Sequence, residues 1–234
     1  MVLNWNIEVI LDLIFSSVLL ITTIISYTSP KTKNITSLFF LRLSFVFVGL
    51  FMFFDGVSIL FLNKLISRIS GLLLFPLAIF VIIGINYTIK ENFYSIGLIL
   101  VFGLGILLVY LGLQPGAVGI SKDIGYPRTD WRGLFNVMGM LFSGIAALYL
   151  LYWGARTFLN APFLIKKDAS LLFLGVMIAS LFGMLFYLLY ILETFFILLS
   201  NFSMIVGLLI FTIAIIKEPK LLYIFPFTVY RIVV

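Results

Sequence analysis

Of 234 residues, 63% are hydrophobic and 10% are charged, which excludes a water-soluble domain, where about a quarter of residues carry charge. The absence of Cys and His excludes disulfides, thiolate and imidazole metal ligands, axial haem histidines and Cys or His nucleophiles, so neither a cofactor nor a metal is expected. The net charge of +6 falls between apolar runs, and the fitting partner for it is the lipid bilayer, whether as headgroup contacts or solvated loops, with no nucleic acid expected.

A helix needs about 20 apolar residues to cross the hydrocarbon layer, and seven segments qualify. The first, 6–27, begins almost at Met1 without a basic flank or a small-residue cleavage site, so it is expected to be a retained helix and not a signal peptide; it carries Asp12. The second, 37–62, carries Asp55 in its outer half and Arg42 in its inner third, the latter expected to snorkel toward headgroups. The third, 67–87, opens on Arg68 and contains Pro76, which removes a backbone hydrogen bond and should kink it. The fourth is 93–113. Next comes the longest connection, "QPGAVGISKDIGYPRTDWR" at 114–132, which is either the cap of a pocket or a plain connector.

The fifth span, 133–158, follows Arg132 and carries Asn136, then Gly139, Ser143 and Ala147 at every fourth position. The sixth, 169–192, repeats that spacing with Gly175, Ala179 and Gly183. Small residues along one helix face let backbones approach closely in lipid, and the two stripes are expected to join spans five and six, or alternatively to form a dimer face. The seventh span, 195–216, adjoins the sixth, and the chain is expected to turn at Glu193 and Thr194. Nine Lys and Arg in one set of connections against five in the other place the N-terminus outside and the C-terminus inside, with Trp5 and Trp131 at the outer interface. The expected fold is therefore an all-α integral membrane protein, a multi-pass seven-helix bundle over 1–216 in the cell membrane, followed by a short cytoplasmic juxtamembrane segment at 217–234.

Ionisable residues within spans are costly unless paired or wet. Asp12, Asp55, Arg68, Arg132, Asn136 and Glu193 all fall toward the outer side and are the candidate lining of an outward cavity; the alternative is that Asp12 snorkels and Asp55 pairs for structure. No catalytic constellation is present, so no enzyme is expected. The last span has no Lys for a retinal Schiff base, the acidic-Arg-aromatic and Asn-Pro-x-x-Tyr motifs of class A G-protein-coupled receptors are missing, and neither intramembrane protease signature occurs.

Seven spans over residues 1 to 216, N-out and C-in, leading at once into "KEPKLLYIFPFTVYRIVV", resemble the seven-helix sensory regions that precede output domains in prokaryotic receptor proteins such as membrane histidine kinases. That resemblance implies binding of a small or lipidic ligand and signal transduction through the seventh span to a cytoplasmic output domain or protein partner. Span count and orientation are also similar to those of small sugar-transporting seven-helix carriers, although spans one and five lack proline; a non-catalytic membrane assembly subunit is the third reading. Residues 217–234 are expected to enter a further domain or pair with a partner's sheet, or else to anchor at the interface through Leu221, Leu222, Ile224 and Phe225.

Overall fold

A computed structural model describes residues 3–28, 36–89, 96–121, 126–182, 195–218 and 221. The chain is a bundle of α-helices carrying one small β-hairpin: α1 (Ile7–Thr28), α2 (Thr36–Phe61), α3 (Lys64–Leu72), α4 (Leu74–Ile89), α5 (Ile96–Leu113), β1 (Val118–Ser121), β2 (Arg128–Trp131), α6 (Gly133–Asn160), α7 (Lys166–Val176) continuing as a π-helical segment (Met177–Phe182), and α8 (Phe195–Lys217). Among the described residues five helical stretches are long and apolar enough to cross a membrane: Ile7–Ile24, Phe39–Phe61, Lys64–Asn86, Gly133–Asn160 and Leu198–Lys217. Leu98–Leu113 is a shorter apolar helix, and α7 runs into residues outside the described set.

Local chemistry sets the ends. Asn6 caps α1 by accepting a bond from the Val9 N–H at 3.0 Å. Leu62 adopts a left-handed φ of 51°, turning the chain out of α2, and Asn63 then caps α3 by accepting from the Leu65 and Ile66 N–H groups. The break between α3 and α4 falls at Leu73, three residues before Pro76, whose ring supplies no N–H for the Leu72 carbonyl. The third apolar segment is thus two helices in series.

The N-terminal end of α1, the α2–α3 turn and the hairpin share one side of the bundle. Asn4 ties them: its N–H donates to Leu60 O at 3.0 Å and its side-chain amide to Pro127 O at 2.5 Å. β1 and β2 pair antiparallel, Val118 opposite Trp131 and Ser121 opposite Arg128. The all-α expectation contained no such element. Two four-residue strands within a Gly- and Pro-rich connection carry too little alternation to register.

The main core joins α4, α6, α7 and α8 around Ile82, Phe142, Trp153, Leu172 and Ala214, while Phe15, Leu19, Met52 and Ile205 form a second cluster between α1, α2 and α8. Large apolar side chains face outward along α5, among them Ile99, Phe102, Ile106 and Leu113, as lipid-facing positions should.

The small-residue stripes pack differently from the expected pairing. A Cβ on Gly139 would lie 2.6 Å from the Trp131 ring, so this glycine seats the indole. Gly175 faces α8, where a Cβ would meet Phe211 N at 2.5 Å and Gly207 O at 2.7 Å; one on Gly207 would meet Ala179 N at 2.3 Å. Close backbone approach therefore joins the sixth segment to α8, and Ser143, Ala147 and Ala179 line a shared cavity. Gly183 and Glu193 lie outside the described residues. Arg42 does not snorkel: it is 2% exposed, held between α1, α2 and α8 beside Thr22, Phe45 and Thr212. Leu221 is buried in the main core and not in a headgroup layer; residues 222–234 lie outside the described set.

Candidate functional site

Beneath the hairpin lies a cavity of about 210 Å³. Its wall combines Glu8 and Phe15 of α1, Phe51 and Asp55 of α2, Arg128 to Trp131 of β2, Asn136 of α6, Ser180 of the π-helical segment, and Ser200 and Asn201 of α8. Nearly every long element contributes. That requires α1 and α2 to approach closely, and Gly56 allows it: a Cβ there would sit 3.0 Å from the Asp12 Cβ. Asp12 and Asp55 are thereby brought together across the helix pair, and Glu8, one turn before Asp12 on the same face, joins them. The three carboxylates offer oxygens within 4.8 Å of one another.

Arg128 stands among them. Its guanidinium lies 3.0 Å from Glu8 Oε1 and 2.7 Å from Asp130 Oδ1, with side chains 10%, 2% and 14% exposed respectively. Tyr126 donates its hydroxyl to the other Glu8 oxygen at 2.9 Å. Burial, then the neighbouring Glu8 carboxylate, push the Tyr126 phenol upward from its usual value, which keeps it a proton donor. Asn201 donates its amide to Asp12 Oδ1 at 2.8 Å, while Asp12 Oδ2 is buried without a partner among the described residues. Ser70 reaches Asp55 Oδ1 at 3.4 Å.

The hairpin is fastened as a roof. Trp131 donates its indole N–H to Ser67, 3.2 Å from the carbonyl and 3.1 Å from the hydroxyl, and its ring packs on Phe51 and Phe135. Thr129 shares a 2.7 Å hydrogen bond with Ser58, and Ser121 donates to Asp130 across the strands. Four carboxylates, Glu8, Asp12, Asp55 and Asp130, converge with one guanidinium among the described residues. Among the described residues the site therefore holds more acidic groups than basic ones. Glu8, Asp12 and Asp55 are the residues that could hold a hard cation through oxygen, with the Arg128 guanidinium competing for Glu8.

Of the residues singled out from sequence, Asp55 and Asn136 stand on the cavity wall and Asp12 directly behind it. Arg68 and Arg132 do not line the cavity and donate to Pro115 O at 3.4 Å and Ile120 O at 3.3 Å. Glu8, Tyr126, Arg128, Asp130 and Asn201 were missed. The spacing of Glu8 and Asp12, four apart on one helix, is a signal that could have found Glu8; Arg128 is buried, with Asp130 half-buried beside it, because the loop forms strands. No protein-family model, no curated protein and no solved structure matches the chain, so a functional reading has to stand on this cavity.

Proposed function

We propose that the chain is a receptor-like membrane bundle of seven spans in the cell membrane, hairpin side outward, that binds a small ligand in the roofed cavity and transmits its presence through α8 to whatever follows Lys217. The observation that carries this is the 2.8 Å bond from Asn201 to Asp12, which couples α8 directly to the acidic end of the cavity. Ser200, Met204 and Leu208 put three further α8 residues on the cavity wall. At its far end α8 is held by Lys217 to Asp168 at 3.2 Å, and Leu221 beyond it is buried. The nine-to-five Lys and Arg asymmetry favours the hairpin side as the outer one.

The test uses spin labels at Lys167→Cys and Ile216→Cys in this naturally cysteine-free chain in nanodiscs. Asn201→Leu, near the opposite end of α8, should shift the distance distribution between the labels. An unchanged distribution would remove α8 as the transmitting element. A carrier is the second reading, favoured by cavity depth: on α2 alone the wall extends from Asp55 to Ser44, eleven residues or about 16 Å. Substrate flux in proteoliposomes without any output partner would favour it.

A further inference from the structure

Resting on the ligand-binding reading above, we infer that the ligand is an amphiphile with an ammonium-type head and an apolar chain, its head among Glu8, Asp55 and Asp130 and its chain running down the bundle axis. The head end of the cavity is defined by charge. Among the described residues four carboxyl groups meet one guanidinium there, and buried charge of one sign is costly unless protons or a counter-charge neutralise it. Asp12 is 1% exposed and its Oδ2 has no partner among the described residues, so the donors described leave this cluster incomplete. An anionic head would be repelled by any ionised acid there, whereas an ammonium head can stand in for the protons and pair with the carboxylates. Aromatic faces accompany the acids: Phe51 lies one helical turn before Asp55 on the cavity wall, and Trp131 meets it edge-on with ring centroids 5.9 Å apart. Acid plus aromatic rings is the combination that holds an ammonium group.

The rest of the cavity has another character. From Met52 toward Ser44 the wall is built from Val48, Leu77, Val81, Leu150, Met204 and Leu208, with no charged group among the lining residues. A metal ion or small amine would fill only the acidic end. A chain attached to the head would fill the apolar shaft as well, and it would bring α8, whose Met204 and Leu208 line that shaft, into contact along two further turns.

The test is equilibrium binding of tritiated dodecylamine to the full chain in lipid nanodiscs, read as a saturable component over empty discs. The expected result is saturable binding that unlabelled dodecylamine displaces and that dodecanol and laurate do not, with butylamine at least about tenfold weaker because it leaves the shaft empty. Asp55→Asn, and separately Asp130→Asn, should lower the affinity at least about tenfold. Ala147→Leu, which fills the shaft without touching an acid, should lower dodecylamine affinity as well. Equal competition by laurate or dodecanol would overturn the ammonium assignment. Equal competition by butylamine, or complete displacement by calcium alone, would show an ion site with no use for the shaft and overturn the amphiphile. Absence of a saturable component overturns it too. The spin-label experiment uses no amphiphile, so either idea can fail while the other stands.

Discussion

The two ends of the bundle are built on opposite principles. On the hairpin side, helices are held apart around a cavity and joined by charge: Arg128 to Glu8 and Asp130, Asn201 to Asp12, Tyr126 to Glu8. Toward the other side, they touch backbone to backbone, with Gly175 and Gly207 pressed into the groove between α7 and α8 and Trp153, Leu172 and Ala214 filling the core around them. Lipid offers no hydrophobic drive for helices to associate, so each end needs a specific device. One end uses long-range attraction, which tolerates a void. The other uses contact, which does not.

The largest effect expected of this contrast comes from removing the charge that holds the open end. Arg128→Ala leaves Glu8 and Asp130 buried without their cation and should cost about 3–5 kcal/mol, read as a fall in the thermal unfolding midpoint in detergent. Arg132→Ala, an exposed arginine four positions away, should change that midpoint by less than about 0.5 kcal/mol equivalent. Equal effects would mean that the hairpin arginines act only through net charge. Next comes the closed end. Gly207→Leu forces side-chain atoms into a gap where even a Cβ would be 2.3 Å from Ala179 N, and overpacking of this kind costs about 1–3 kcal/mol. The same measurement on Gly103→Leu, where a Cβ meets nothing within 4 Å, should show almost no loss.

The smallest effect sharpens the comparison by pH. Tyr126→Phe removes one bond to Glu8 from a half-buried hydroxyl while Arg128 still holds that carboxylate, and should cost about 0.5–1.5 kcal/mol. Because folding raises the Tyr126 pKa, its contribution is complete below the unfolded value of about 10 and declines as pH rises from there through the folded value. The stability gap between wild type and Tyr126→Phe should therefore be constant through neutral pH and shrink above about pH 10. A gap that stays constant into strong alkali would show that the hydroxyl is not the donor.

Much of the closed end was legible in the sequence, because apolar runs and small-residue spacing are local signals. The runs at 6–27 and 37–62 lie within a residue of α1 and α2 at each end, while the third is interrupted at Leu73, three residues before the Pro76 expected to kink it. What the spacing of Gly175 and Ala179 could not specify was the partner helix, since a smooth face fits any neighbour with a matching one. The open end was less legible. Arg128 carries no local sign of burial; it is enclosed because β2 turns it inward and because Trp131, three residues on, is seated on Gly139 and packed against Phe51. Asp12 and Asp55 could be suspected as intramembrane charges, but their meeting depends on Gly56, a residue with no chemistry of its own.

Contact between Gly207 and Ala179 has a mechanical meaning for α8. It is a fulcrum. Asn201 lies six residues to one side of it and Lys217 ten residues to the other, arms of about 9 Å and about 15 Å at 1.5 Å per residue. A rigid helix tilting about that point would carry its two ends in opposite directions, with the longer arm sweeping about 1.7 times as far as the shorter. A sub-ångström pull on the Asn201 amide would then leave the bundle magnified and reversed in sense at Lys217, where the ion pair with Asp168 is exposed enough to yield.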